Sequence, residues 1–204
     1  LESSFPSLIE DIALLSSLGL KLVLVHGVRP QTEQALQGVN HQTEIHKGLR
    51  ITDQTTLAIA KQVVGSVRVD IESLFSTNTQ NTAMANSALH IASGNYVTAQ
   101  PVGVVDGIDH LHTGKVRKIN AAAIQQQLDN NNLVLLSPLG YSPTGEVFNL
   151  SAEDIAVSAA SALHADKLIL LMESESLQHQ AGKRADQMNA KQSQLVTAIR
   201  PLSF

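Results

Sequence analysis

The sequence contains no cysteine and no tryptophan, and only 3% of its 204 residues are aromatic. Without cysteine there is no disulfide framework and no thiolate metal site, which is typical of a protein from a reducing compartment. The formal net charge is -4 and the pI is about 6.0. A net acidic chain with so few aromatic residues lacks the basic groove and the stacking surfaces that nucleic-acid-binding proteins use. We therefore expect no nucleic acid partner.

Long apolar runs are also missing. No apolar stretch approaches the length of a membrane span, and the first residues lack the basic start and the apolar core of a signal peptide. We therefore predict a cytoplasmic protein that has no contact with a membrane. The 43% of residues that are hydrophobic are enough for a sizeable core in a chain of this length.

Short apolar strands alternate with amphipathic helices along the chain. Apolar residues at helical spacing predict a first helix from Phe5 to Leu18, which ends at Gly19 before the strand LKLVLVH. A second helix is expected to begin near Pro30. Further helices are predicted at 53–65, 67–75, 120–128 and 152–164, and further strands at 88–93, 96–99, 133–137 and 167–172. This order predicts an α/β protein, a three-layer α/β/α sandwich with a mostly parallel central sheet and a hairpin near Gly145.

The segment SPLGYSPTGEVFNLSAEDIA, from Ser137 to Ala156, places polar side chains directly after a buried strand. Ligand-binding loops of α/β proteins lie at the carboxyl ends of strands, so this segment predicts a binding site. A second interpretation stays open for its acidic residues. Ser151 as N-cap, followed by Glu153 and Asp154 in the first turn, is a favourable helix start that needs no ligand.

The turn HGVRP after the first strand is a second candidate. Gly27 permits a close approach of the backbone, and the N-terminus of the next helix favours an anion such as a carboxylate or phosphate. Glycine and proline between a strand and a helix are also ordinary turn residues. Both interpretations are open from the residues alone.

Four segments carry a resemblance to a known family: HGVRPQ, HKGLRITD, GNYVTAQPVGVVDGIDHLHTGKVRKIN and SPLGYSPTGEVFNLSAEDIA. Together they resemble the amino-acid-kinase-like domain of bacterial N-acetylglutamate synthases over most of residues 5–172. Acetylglutamate kinases share this fold and typically carry three glycines where this chain has Gly27, Val28 and Arg29. The resemblance implies the amino-acid kinase (carbamate kinase-like) fold. It also implies that residues 1–204 form one domain without its first strand and without the end of its second lobe, where 184–196 fits a strand-to-helix passage.

The resemblance also implies which residues bind small molecules. Arg50 matches the kinase arginine that grips the substrate, although an ion pair with Asp53 or Glu44 is an equally open interpretation. Asn149 matches an asparagine that hydrogen-bonds the acetylamino acid. Glu153 stands where the kinases usually have an aspartate, and Gly27 and Arg29 form the turn that approaches the substrate.

No residue is assigned a catalytic role. Phosphoryl transfer requires fixed positive charge over the transferred group, and neither of the kinase lysines is present in this sequence. Loss of the lysines and their position outside the given residues are both open, but the HGVRP turn and Glu153 in place of an aspartate favour a domain that no longer phosphorylates. The resemblance therefore implies a regulatory domain that binds L-arginine and belongs to a homo-oligomer. Acetyl transfer from acetyl-CoA to L-glutamate is expected in a downstream acetyltransferase domain. A working acetylglutamate kinase, or a degenerate paralogue that acts only as an assembly scaffold, are the alternatives.

The remaining patterns predict no metal or hydrolase site. His110 and His112 lack a third ligand at convincing spacing, so we expect solvated loop imidazoles and no bound metal. Ser142 lies in a proline-containing turn without a plausible His/Asp partner order. The basic run HTGKVRK is expected at a solvated strand edge, because edge lysines discourage pairing between sheets.

Overall fold

The computed structural model describes residues 5–78, 89–172 and 193–200. The helices of these residues are α1 (Phe5–Ser17), α2 (Arg29–Gly38), α3 (Gln54–Asn78), α4 (Ala121–Asp129) and α5 (Ala152–Ala162). The strands are β1 (Lys21–His26), β2 (Ile45–His46), β3 (Leu49–Arg50), β4 (Ile91–Ser93), β5 (Val97–Pro101), β6 (Val104–Val105), β7 (Ile108–Asp109), β8 (Gly114–Ile119), β9 (Leu133–Leu136), β10 (Leu139–Tyr141), β11 (Val147–Asn149), β12 (Lys167–Met172) and β13 (Ser193–Arg200).

The central sheet has the strand order β12-β13-β1-β9-β4. Strand β9 pairs in parallel with both β1 and β4, whereas β13 is antiparallel to its neighbours β1 and β12. Four of the five strands therefore run in one direction, which confirms the predicted mostly parallel sheet. Val25 of β1 lies opposite Leu136 of β9. The residues that follow these two strands consequently meet at one edge of the sheet.

Both faces of the central sheet are covered, as predicted. Leu22 and Leu24 point from β1 into a cluster with α1 and α3, while Val23 and Val25 point to the opposite face, toward α4 and α5. Side chains alternate between the two faces of a strand, so a strand buried on both faces needs a continuous apolar run. This requirement explains the sequence LVLV and produces the three-layer α/β/α arrangement.

A second sheet of order β11-β10-β5-β8 shares the apolar cluster of α4 and α5, and two short ribbons, β2–β3 and β6–β7, stand beside it. Residues 114–118 of the basic run HTGKVRK lie in β8, at the edge of this sheet, which confirms the predicted strand edge for them; His112 and the buried Thr113 precede the strand. Both ribbons turn on two residues with positive φ, Lys47-Gly48 and Asp106-Gly107. Two such residues are the signature of a tight type I′ hairpin.

The prediction of two helices between Asp53 and Phe75 is wrong, because α3 is one continuous helix of 25 residues. Gly65 does not interrupt it. A glycine inside a helix costs about 1 kcal/mol, whereas full burial of one aliphatic side chain contributes about 2 kcal/mol. The neighbouring Val64 and Val67 are both buried, so packing outweighs the local preference.

Other predicted boundaries shift by a few residues. The predicted strand at 88–93 is observed only as β4, and α5 ends two residues before the predicted His164. Residue 88 of that predicted strand lies outside the described residues, as do residues 184–192 of the predicted strand-to-helix passage; residues 193–196 of that passage fall in β13. None of the described helices is long and apolar enough to cross a membrane.

Candidate functional site

The carboxyl ends of β1 and β9 bring His26 and Ser137 together. His26 Nε2 lies 2.8 Å from Ser137 Oγ, and the histidine is only 2% exposed. Burial lowers the pKa of His26 to about 4; contact with the Gly27 backbone opposes this shift, and the positive charge of Arg68 adds to it. A neutral imidazole and a hydroxyl therefore form this edge of the site.

The turn that follows His26 leads directly into α2. Helix α2 begins at Arg29, with Pro30 in its first turn as predicted, and no side chain caps it. Val28 is buried in the apolar cluster of α1 and α3, whereas Arg29 and Pro30 are exposed. Val28 and Arg29 stand where acetylglutamate kinases typically carry glycines. Val28 therefore belongs to the core and Arg29 to the surface.

Arg50 ends the ribbon β2–β3, and its guanidinium is buried by protein groups. Its Nη2 donates to Glu33 Oε1 at 2.6 Å and its Nη1 donates to Thr43 Oγ1 at 2.5 Å. The interpretation of Arg50 as one half of an ion pair is therefore confirmed. Its partner is Glu33 and not Asp53 or Glu44, which the sequence offered. Glu33 takes that position because α2 passes beside the ribbon.

Asp53 instead caps α3, as the sequence predicts. Its Oδ1 accepts from the Thr56 N–H at 2.7 Å, and its Oδ2 lies 2.9 Å from His41 Nε2. Partial burial opposes ionisation, but the bonds from Thr56 and the charge of His41 outweigh it and lower the pKa of Asp53. The carboxylate thus fixes both the start of α3 and the loop after α2.

Thr52 and Thr113 join Arg50 to Asn149. The Thr113 hydroxyl donates to the Arg50 carbonyl and accepts from the Thr52 N–H at 3.0 Å. Asn149 Nδ2 donates to Thr52 Oγ1 at 3.1 Å. Thr52 and Thr113 are both buried, and we call this group the threonine link. It holds two of the predicted site residues in one hydrogen-bonded unit.

Glu153 lies apart from this unit. Ser151 Oγ accepts from the Asp154 N–H at 3.1 Å and donates to Glu153 Oε2 at 2.7 Å, so the predicted helix cap is confirmed. Burial, with the charge of Glu153 beside it, raises the pKa of Asp154. Among the described residues, hydrogen bonds and ion pairs connect Arg50 with Asn149 but do not extend to Arg29 or Glu153.

The expectation that His110 is a solvated loop imidazole is wrong. His110 is 1% exposed, and its Nε2 lies 3.1 Å from His46 Nδ1 where the two ribbons meet. Lys47 and Asp106, one from the turn of each ribbon, form an ion pair above this contact. Within residues 5–78, 89–172 and 193–200, no group of three His, Asp or Glu side chains is arranged to hold a metal ion.

Sequence reasoning missed Glu33, Thr43, Thr113 and the His26–Ser137 pair. A polar residue at the end of a continuous apolar strand is the only signal that points to His26 and Ser137. Glu33 and Thr43 are ordinary polar residues of a helix and a loop, and the ribbon alone brings them to Arg50. No local pattern marks them.

A mostly parallel sheet between helical layers defines an α/β domain, the class of fold in which ligand sites lie at the carboxyl ends of the strands. Residues 2–196 match the amino acid kinase family, and the chain belongs to that family. The predicted fold is thereby confirmed.

Several curated relatives of this chain are amino-acid acetyltransferases. The one from Ralstonia nicotianae is 49% identical over 183 residues, which cover 90% of this chain and 41% of the relative. The one from Azotobacter vinelandii is 52% identical over 167 residues, which cover 82% of this chain and 39% of the relative. The chain thus spans about two fifths of the length of the curated relatives it matches.

Solved structures of an N-acetylglutamate synthase are also similar to this chain. The N-acetylglutamate synthase from Neisseria gonorrhoeae in complex with coenzyme A and N-acetyl-glutamate superposes with a TM-score of 0.75 at 37% identity, covering 85% of this chain and 39% of that chain. A structure of that synthase with coenzyme A and L-arginine gives a TM-score of 0.72 at 31% identity, covering 91% of this chain and 48% of that chain. The resemblance inferred from the four sequence segments is confirmed.

Proposed function

We propose that this chain is the amino-acid-kinase-like regulatory part of an N-acetylglutamate synthase. Such an enzyme transfers the acetyl group of acetyl-CoA to L-glutamate at the start of arginine biosynthesis. The names of the relatives support this assignment, and so does the likeness to a synthase solved with L-arginine. We assign the acetyl transfer, and the binding of acetyl-CoA and L-glutamate, to a further domain of the intact protein.

The observation that carries the proposal is the threonine link, which joins the main-chain carbonyl of Arg50 to the side chain of Asn149 and so holds the two residues in one buried unit. A guanidinium binds carboxylates in a planar, two-pronged geometry, and an amide side chain both donates and accepts. Acylated or free amino acids offer the matching groups. We therefore propose that Arg50 and Asn149 bind an amino-acid ligand, and we keep Gly27, Arg29 and Glu153 as predicted members of the same pocket.

Regulation then follows from linkage between two states. A ligand that binds one arrangement of this domain better than another shifts the population of the whole protein toward that arrangement. The acetyltransferase activity changes when the two arrangements hold the second domain differently. We further propose a cytoplasmic homo-oligomer, whose mass light scattering measures directly.

The test is acetyl transfer by the intact protein, measured while L-arginine is titrated, with calorimetry for direct binding of L-arginine and N-acetyl-L-glutamate. We expect acetylation of L-glutamate and its inhibition by L-arginine. Arg50→Gln should weaken binding of N-acetyl-L-glutamate about tenfold or more, because a charged hydrogen bond contributes about 1.5–3 kcal/mol.

Arg117→Gln is the matched control. Arg117 is exposed on edge strand β8, so the same chemical change there should leave binding unaltered. ATP-dependent phosphorylation of N-acetyl-L-glutamate by the intact protein, without acetyl transfer, would contradict the proposal and favour an acetylglutamate kinase. Assembly without any response to L-arginine or N-acetyl-L-glutamate would instead favour a scaffold.

A further inference from the structure

The guanidinium of Arg50 already has a carboxylate partner in its own chain. The Arg50 side chain is only 8% exposed, and its ion pair with Glu33 has an N···O distance of 2.6 Å. Glu33 itself is 43% exposed on the surface of α2. The buried guanidinium of Arg50 is therefore neutralised by a carboxylate that is partly exposed to solvent.

Both terminal nitrogens of Arg50 carry a bond, Nη2 to Glu33 and Nη1 to Thr43. A carboxylate that is gripped by two parallel N–H groups of the fork competes with at least one of these bonds. Glu33 carries the same charge as the arriving group, and two carboxylates at one guanidinium repel each other. Thr43 is neutral and has no such effect.

A ligand carboxylate can replace Glu33 at the Arg50 guanidinium. A buried guanidinium without a counter-ion is strongly unfavourable, so Arg50 requires a carboxylate at all times. Glu33 can rotate into water at low cost because nearly half of its side chain is already solvated. A ligand carboxylate can then take the place of Glu33, and the buried cation is not left unpaired.

We infer that Glu33 is an internal counter-ion that occupies Arg50 in the ligand-free protein and that a ligand carboxylate replaces. This inference rests on the proposed ligand site at Arg50 and adds its regulation. Glu33 sets the affinity: its carboxylate weakens the binding of acidic ligands, so that the site responds only when such a ligand is abundant. Removal of the charge of Glu33 strengthens binding.

The experiment compares variants of the intact protein by calorimetry with N-acetyl-L-glutamate. The acetyltransferase domain binds the same molecule as its product, so only the part of the binding that Arg50→Gln removes is assigned to this site and compared between variants. Glu33→Gln keeps a hydrogen-bond acceptor for Arg50 but removes the charge. We expect its dissociation constant to fall about fivefold, as for the loss of one competing ion pair of about 1 kcal/mol. The dimethyl ester of N-acetyl-L-glutamate, which has no carboxylate, should show no gain.

Two control variants separate this effect from general ones. Glu44→Gln makes the same charge change six residues from Arg50, at a residue that forms no ion pair with Arg50 in the described part of the chain. Thr43→Val removes the neutral partner. Both should bind N-acetyl-L-glutamate no more tightly than the unaltered protein does.

Thermal unfolding supplies a second readout that also reports folding. Glu33→Ala removes both the charge and the acceptor, so it should lower the melting temperature without ligand and raise the ligand-induced increase above that of the unaltered protein. Unchanged or weaker binding by a folded Glu33→Gln variant would overturn the inference, and so would an equal gain in Glu44→Gln. Absence of binding by both the unaltered protein and Glu33→Gln would overturn the ligand site at Arg50 as well.

Discussion

Asn149 Nδ2 donates a hydrogen bond to Thr52 Oγ1 across 97 positions of sequence, at a distance of 3.1 Å. Strand β11 is thereby tied to the residue that precedes the cap of α3. The bridge between Thr52 and Leu111 and the bond from the His112 N–H to the Thr52 carbonyl attach the ribbon β6–β7 at the same point. Three chain segments thus converge on one buried threonine.

Thr113→Val should therefore destabilise the protein, because it removes the hydroxyl at the centre of the threonine link. Valine has nearly the volume of threonine but leaves the Thr52 N–H and the Arg50 carbonyl without this partner. We expect a loss of about 1–3 kcal/mol in the free energy of unfolding, measured by urea denaturation, together with weaker binding of N-acetyl-L-glutamate. Thr144→Val, at the exposed hairpin tip, should change the unfolding free energy by less than about 0.5 kcal/mol. Equal effects of the two variants would contradict a structural role of the threonine link.

The folded protein should lose stability as the pH falls below that at which free histidine titrates. His26 has its pKa lowered from 6.5 to about 4, so the unfolded state binds a proton that the folded state does not. The contribution of His26 is complete above pH 6.5, declines as the pH falls, and is lost near pH 4, a total of about 3 kcal/mol. Urea denaturation between pH 7 and pH 4 measures this slope.

His26→Gln isolates that effect. Glutamine cannot titrate but can still hydrogen-bond Ser137, so the variant should lose stability less steeply than the unaltered protein between pH 6.5 and pH 4. The other histidines contribute to both proteins, so the difference between the two curves belongs to position 26. Parallel curves would show that His26 titrates normally in the folded protein.

Gly140→Ala should destabilise the second sheet. A Cβ at this position would lie 2.6 Å from Leu150 Cδ1 and 2.7 Å from Ala99 Cβ. Strand β10, which carries Gly140, and its neighbour β5, which carries Ala99, must therefore move apart to accept it. Overpacking of this kind costs about 1–3 kcal/mol. Chemical denaturation of the variant should show this loss in the free energy of unfolding.

Gly65→Ala is the matched control with the opposite sign. No heavy atom outside the neighbouring helix backbone lies within 4 Å of its added Cβ, and the residue is in the interior of α3. Alanine should stabilise the protein by about 0.5–1 kcal/mol through its better helix propensity. A loss of stability here would mean that the break in α3 predicted from the sequence has a physical basis.

Asp53→Ala should cost about 1–2 kcal/mol, because the N-terminus of α3 loses its cap. Asp53→Asn keeps an oxygen that accepts from the Thr56 N–H and removes only the charge near His41. An exposed ion pair contributes about 0–1 kcal/mol, so the asparagine variant should lose less. Equal losses would assign the effect to the ion pair and not to the cap.

The sequence alone determined the layers of this protein and the starts of its helices. The caps Asp53, Asn120 and Ser151 each bind an N–H three residues further along the chain, and the continuous apolar strands require burial on both faces. These interactions act over a few residues, so a local pattern reveals them. The family resemblance marked Arg50 and Asn149 for the same reason, since it rests on contiguous motifs.

Only the tertiary structure decided what surrounds those motifs. Glu33 reaches Arg50 over 17 positions, Thr113 reaches Thr52 over 61, and His110 is buried against His46 over 64. Which polar side chain meets a buried cation depends on where helices and ribbons pass in space, and residues of the same type occur at many positions that never meet it. For this reason the ion-pair partner of Arg50 is not one of the sequence neighbours Asp53 and Glu44, which one interpretation of the sequence offered, but Glu33 on α2.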